Sequence, residues 1–168
     1  MKRIDIVSQL KKENLIGIEL GVAKGTFSKQ LFETGLFREF YGVDRYTDRG
    51  HDMSEYFNVL KMFKDNPNVY MLRSTFDEAI TLFRDNYFDF IYVDGYAHTG
   101  QDEGSTLYSW FDKLKPGGIF AGHDYCLSWN KTVEEVDKFV KDKDLFLHIT
   151  ESENLAFHEQ YPSWWTIK

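Results

Sequence analysis

The chain has 168 residues, 42% of them hydrophobic, 17% aromatic and 28% charged, with a formal net charge of −7. That length supports one folding unit with a sizeable core, and the aromatic content excludes a disordered chain. The acidic balance excludes a protein that grips nucleic acid by broad phosphate neutralisation, the single Cys126 excludes an internal disulfide and a cysteine-built zinc cluster, and no apolar run approaches the roughly 20 residues of a membrane span.

The first residues lack the apolar core and cleavage site of a secretory signal, so the expected setting is cytoplasmic and reducing. Ile4, Val7 and Leu10 recur at helical spacing and predict an N-terminal helix within residues 1–14, ahead of a sheet core over 15–168 in one domain. Residues 15–20, apolar and β-branched, read as a buried strand ending at Gly21. A helix is expected over 25–34 and a second strand over 39–44. The next helix, 53–65, carries Met53, Tyr56, Phe57, Leu60 and Phe63, and Pro67 lies just beyond its end. Strand 69–74 and helix 76–85 follow. Residues 88–95 form the clearest strand, closing on Asp94-Gly95. A helix over 106–114, a turn at 115–118, a strand over 118–125 and a helix over 131–141 come next, and 145–150 and 164–168 read as the last strands. Phe57, Phe63, Phe111 and Phe139 are assigned to the core, and Trp164 and Trp165 to opposite faces, one inward and one outward.

Five strand–helix units in series predict parallel strands joined by right-handed crossovers. Residues 151–163 show no helical period, so the last two strands are expected to be joined by a loop and to run antiparallel. The fold class is therefore α/β: a doubly wound, mostly parallel seven-stranded sheet with helices on both faces and a reversed last strand.

Ligands of such sheets bind beyond the carboxyl ends of the strands. There the sequence offers Glu19 and Gly21 to Gly25, then Asp44-Arg45, Ser74-Thr75, Asp94 to His98, and His123-Asp124. The first loop is G-x-x-x-G, without the third glycine of a dinucleotide turn, and there is no P-loop. Glu19 would repel a diphosphate and suits a cationic ligand, whereas Asp44 suits two ribose hydroxyls. Taken alone the two glycines read better as a plain strand–turn–helix, and Asp44 at the end of the next strand changes that balance. Asp94 and Asp124 end adjacent predicted strands and together suit a hard cation such as Mg²⁺; a turn and a helix cap are the competing roles. Imidazole is the side chain suited to take a proton near neutral pH, which makes His98 a candidate base, and both it and His123 also read as plain loop histidines. Thr75 with Glu78 reads as a capping box. Arg45, Arg49 and His51 fall in a polar loop, and Trp129 follows the Asp124 loop as a substrate-mouth or lid residue.

The ordered set Ile18 to Gly25, Asp44, Asp94-Gly95 and Lys115-Pro116-Gly117-Gly118 resembles the class I S-adenosylmethionine-dependent methyltransferases over nearly the whole chain. That resemblance implies a Rossmann-like methyltransferase fold, with S-adenosyl-L-methionine held by Glu19, Gly21, Val22, Lys24, Gly25, Asp44, Arg45, Ser74, Thr75, Phe76 and Asp94. More narrowly, Ile91 to Gly95 with His98, then Leu114 to Tyr125, is similar to a small-domain subfamily that includes metal-dependent sugar O-methyltransferases. It implies Asp94 and Asp124 as metal ligands and His98 as the base; the catalytic candidates of this chain are His98, Asp94 and His123, with either histidine open as the base. This chain reads Asp-Gly-Tyr-Ala-His where the subfamily reads Asp-Gly-x-His. The expected activity is methyl transfer to a hydroxyl of a small molecule or sugar, metal-assisted in one form, with no nucleic-acid or membrane partner. The oligomeric state stays open, a homodimer included. A nicotinamide-dependent oxidoreductase and a catalytically silent S-adenosylmethionine-binding domain are the alternatives.

Overall fold

A computed structural model of the chain describes residues 1–47, 50–152 and 160–168. The strands are β1 (Leu15–Leu20), β2 (Phe37–Asp44), β3 (Val69–Arg73), β4 (Phe88–Val93), β5 (Leu114–Gly122), β6 (His148–Ile149) and β7 (Trp164–Ile167). They form one sheet in the order β3-β2-β1-β4-β5-β7-β6. β1 pairs in parallel with both β2 and β4, so strand order reverses there and a crevice opens at their carboxyl ends. β7 runs antiparallel to both of its neighbours, β5 and β6. This is the Rossmann-like architecture expected, reversed strand included.

The helices are α1 (Thr26–Glu33), α2 (Met53–Met62), α3 (Phe76–Ala79), the single turn α4 (Gly100–Glu103), α5 (Ser105–Phe111) and α6 (Asn130–Asp142). The alternation of a pleated strand divides the core in two. Ile91 and Val93 of β4 join Trp110, Phe120, Phe139 and Trp164 on one face. Phe90 and Tyr92 of the same strand join Phe27, Phe40 and Trp165 on the other.

Several elements differ from the sequence-based expectation, each for a local reason. The N-terminal segment is a 3-10 helix, Arg3–Leu10, and its buried residues are Arg3, Ile6, Val7 and Leu10. It covers the sheet face that Trp165 meets, so Trp165 is buried like Trp164 rather than outward. Phe63, Phe111 and Phe139 are core residues, but Phe57 is 60% exposed. α2 lies beside the β2–β3 edge and buries only Val59 fully, which leaves Phe57 with Met53 and Leu60 uncovered. The third crossover shrinks to α3 and a 3-10 turn, Ile80–Leu82. The 115–118 segment is absorbed into β5, where the pairing with β4 shifts register. β6 keeps two residues of the six predicted. α4 is left-handed, with φ of 53°, 57° and 52° at Gln101, Asp102 and Glu103, a conformation costing about 1–2 kcal/mol per residue. Arg49 and much of the predicted 151–163 connection lie outside the described residues.

Candidate active site

The loop after β1 is fastened from both sides. Gly21 donates its N–H to the Val43 carbonyl at 2.8 Å, and Asp94 donates its own to the Leu20 carbonyl at 2.7 Å. Gly21 has φ +97°, and a Cβ there would overlap the Asp94 carbonyl, so only glycine fits. At the end of β2, Asp44 accepts the N–H groups of Val22 and Ala23 through one oxygen, at 3.0 and 2.9 Å, and that of Tyr46 through the other, at 3.0 Å. The Tyr46 hydroxyl closes the arrangement by donating to the Ala23 carbonyl at 2.9 Å. Asp44 thus shapes the loop as well as facing the crevice.

Two adjoining cavities, about 500 and 530 Å³, open along the carboxyl ends of the strands. Both are in the range of small-molecule sites. Asp44, Arg45, Ser74, Phe76 and His98 line the first. Glu19, Val22, Lys24, His123 and Trp129 line the second. Gly21, Ala23, His51, Asp94 and Asp124 belong to both. Gly95 leaves room for the Phe76 ring, which a Cβ there would meet at 2.9 Å. Two of the predicted cofactor residues stand off both walls. Gly25 is the N-cap of α1. Thr75 caps α3: its hydroxyl accepts the Glu78 N–H at 3.2 Å, its own N–H donates to the Glu78 carboxylate at 3.1 Å, and it faces a smaller separate recess.

At the shared wall the structure brings together Asp94, after β4, with His123 and Asp124, after β5. Their ligand atoms all lie within 4.8 Å of one another, close enough together to hold a metal ion. His123 Nδ1 is 3.5 Å from an Asp94 oxygen and 3.2 Å from an Asp124 oxygen. Burial alone would push the His123 pKa down, but the charges of and hydrogen bonds to Asp94 and Asp124 outweigh it and lift it to about 10. Its Nε2 is buried with no partner among the described residues. Glu19, beside this group, is also buried. Burial, then the charge of Asp94, raises its pKa to about 8 against the pull of the Ser28 hydroxyl, which donates to it, and of Arg3.

His98 stands apart from that trio. It sits in a 3-10 turn, Ala97–Thr99, entered through Tyr96 at φ +59°, and is exposed on the wall of the first cavity. The left-handed Tyr96 takes up the extra residue of Asp-Gly-Tyr-Ala-His. Sequence reasoning missed Arg3 and Phe27, which line the second cavity. A signal existed for Arg3, because it opens the buried series 3, 6, 7, 10, a helical repeat whose first member happens to be charged.

Residues 16–125 match the family model described as a methyltransferase domain. The phosphoethanolamine N-methyltransferase of Triticum aestivum is 38% identical over 81 residues, which cover 45% of this chain and 16% of that protein. Among solved structures, the N-methyltransferase NodS from Bradyrhizobium japonicum superposes with a TM-score of 0.72 at 12% identity, over 99% of this chain and 92% of its own. The precorrin-6y C5,15-methyltransferase from Geobacter metallireducens gives 0.71 at 13% identity, over 98% and 87%. A SAM-dependent methyltransferase from Aquifex aeolicus gives 0.67 at 16% identity, over 97% and 87%. With the glycine loop, the acidic end of β2 and the reversed β7 in place, this chain belongs to the methyltransferase-domain family, on the Rossmann-like fold of the class I S-adenosylmethionine-dependent enzymes.

Proposed function

We propose that this chain transfers the methyl group of S-adenosylmethionine to a hydroxyl oxygen of a small molecule, a sugar among the candidates. The observation that carries the reading is the wall common to the two cavities, where Asp94 and Asp124 meet His123. The nucleoside would lie along the first cavity and the acceptor in the second, so the sulfonium carbon reaches the acceptor at that wall. Ser74 and Phe76 would flank the base, with Asp44 and Arg45 at the ribose. Glu19 and the loop residues Gly21 to Lys24 would take the amino-acid end where the two cavities join, leaving the rest of the second cavity to the acceptor. In the transfer the carbon leaves sulfur as it bonds to oxygen, giving S-adenosylhomocysteine, a methyl ether and a proton. The protein's part is to hold the two reactants in line and to place charge around them. His98, exposed on the wall of the first cavity, is the candidate base and would act where the acceptor hydroxyl reaches that wall, since His123 is engaged by Asp94 and Asp124.

The donor set of Asp94, His123 and Asp124 fits a divalent cation, which would take the place of the imidazolium proton between the carboxylates. Two carboxylates suit Mg²⁺, and the imidazole widens the choice toward Mn²⁺. Such an ion would lower the pKa of an acceptor hydroxyl.

The likeness to a phosphoethanolamine N-methyltransferase favours a second reading, transfer to an amine nitrogen, which needs no metal-lowered pKa. One experiment separates them. Calorimetry first measures S-adenosylhomocysteine binding; methyl-labelled S-adenosylmethionine is then offered with hydroxyl and amine acceptors, with Mg²⁺, Mn²⁺ or EDTA. Labelled ethers formed only with the cation support the proposal. Labelled amines formed in EDTA move the assignment to nitrogen, and absence of S-adenosylhomocysteine binding ends both.

A further inference from the structure

We infer that His51, held by Glu55, is a further catalytic residue: it takes the proton of an acceptor hydroxyl that stays on the second-cavity side of the shared wall. This rests on the methyl-transfer reading and adds a group which that reading leaves out. Gly21, Ala23, His51, Asp94 and Asp124 line both cavities, and among their side chains the imidazole is the one suited to take a proton near neutral pH. His98 lines the first cavity and not the second, so it serves a hydroxyl that crosses into that chamber. His123 is buried, with its Nδ1 engaged by Asp94 and Asp124. His51 is the other histidine on the second wall.

The start of α2 sets the ring in place. Asp52, the N-cap, accepts the Ser54 and Glu55 N–H groups through one oxygen, at 2.9 and 3.3 Å. That cap fixes the first turn, and the four-residue spacing brings Glu55 to His51. His51 Nδ1 lies 2.8 Å from a Glu55 oxygen, and since a carboxylate only accepts, Nδ1 carries the hydrogen. Nε2 is then the lone-pair nitrogen, with no bond among the described residues. The His51 side chain is 47% exposed and that of Glu55 14%. A pair open to water on one side contributes little to stability, whereas it does fix the tautomer a base needs. In the transfer, the carbon–sulfur bond breaks as the oxygen–carbon bond forms, and the hydroxyl proton passes to Nε2. The products are S-adenosylhomocysteine, the methyl ether and an imidazolium whose Nδ1–H faces the Glu55 carboxylate. The half-exposed ring then returns its proton to water.

The test uses the full chain with Mg²⁺, saturating methyl-labelled S-adenosylmethionine, and glycerol, glucose or catechol as the hydroxyl probe. The parent, His51→Gln, His51→Ala, Glu55→Gln and His98→Gln are compared, each checked for folding by circular dichroism. His51→Gln is expected to lose about a hundredfold in kcat, since positioned bases contribute roughly 10²–10⁴. Glu55→Gln is expected to lose less, because Nε2 remains. Imidazole in the buffer is expected to restore kcat in His51→Ala while leaving the parent rate as it was, a rescue that a merely structural histidine would not show. Should one His51 variant fail to fold, the other decides. An unchanged kcat in His51→Gln overturns the proposal, and a concurrent loss in His98→Gln then returns the step to His98. A loss confined to the KM for S-adenosylmethionine also overturns it and makes His51 a cofactor contact. A parent that binds no S-adenosylhomocysteine, or binds it yet yields no labelled ether from any probe, ends the hydroxyl reading and this proposal together. Ethers formed without need of His51 end the proposal alone, so the two failures stay distinct.

Discussion

Asp44 shows how one carboxylate can fasten a loop while lining a cavity. Its three N–H partners fix Val22, Ala23 and Tyr46, so its loss unfastens the loop that lines both cavities. Asp44→Ala is expected to weaken S-adenosylhomocysteine binding by more than about tenfold in calorimetry, since hydrogen bonds to charged groups each contribute roughly 1.5–3 kcal/mol. An unchanged affinity would remove Asp44 from the cofactor site. Glu19 makes a different prediction. Its folded pKa of about 8 stands above the ordinary 4.5, so the folded chain keeps a proton there that the unfolded chain has released. The stability from this group is complete below about 4.5 and is lost as pH rises through about 8. Glu19→Gln removes that titration. Thermal melts of the ligand-free protein across this interval are expected to fall less steeply for Glu19→Gln than for the parent. Parallel slopes would show that Glu19 is not the titrating group.

Among the elements, α3 is short enough to depend on its cap. Thr75→Ala deletes the hydroxyl that accepts the Glu78 N–H, and caps of this kind contribute about 1 kcal/mol. Urea melts are expected to show that loss while S-adenosylhomocysteine affinity stays unchanged, because Thr75 lines neither cavity. A drop in affinity would return Thr75 to the adenine end. The same capping box was legible in the sequence, as were the strands: Leu15 to Leu20 and Phe88 to Val93 are apolar runs that only a sheet covered on both faces accommodates. The acidic residues closing β1, β2, β4 and β5 were legible too, since topology alone brings carboxyl ends to one rim. What spacing does not carry is whether a neighbour covers a helical face. Phe57 has core periodicity, yet the sheet ends before it; Trp165 alternates outward, yet the N-terminal 3-10 helix lies over it. Arg3 escaped because burial of a cation is decided by a cavity formed from distant segments, which local pattern does not record.

Across the whole molecule, stability rests on two aromatic-rich cores separated by the sheet. Trp165 joins β7 to the N-terminal face and stacks on His148 with ring centres 4.0 Å apart. Trp165→Ala is expected to cost about 3–5 kcal/mol in urea unfolding, several times the effect of Thr75→Ala. A cost near that of the cap would mean that the N-terminal segment packs independently of β7. The wall held in common by the two cavities also bears on how the molecule is measured. Occupants that touch the same Asp94 and Asp124 cannot bind independently, and whatever factor the nucleoside imposes on the affinity of the second ligand, the second ligand must impose on the nucleoside. Screens run on the empty protein would therefore rank acceptors in an order that need not survive once the neighbouring chamber is filled.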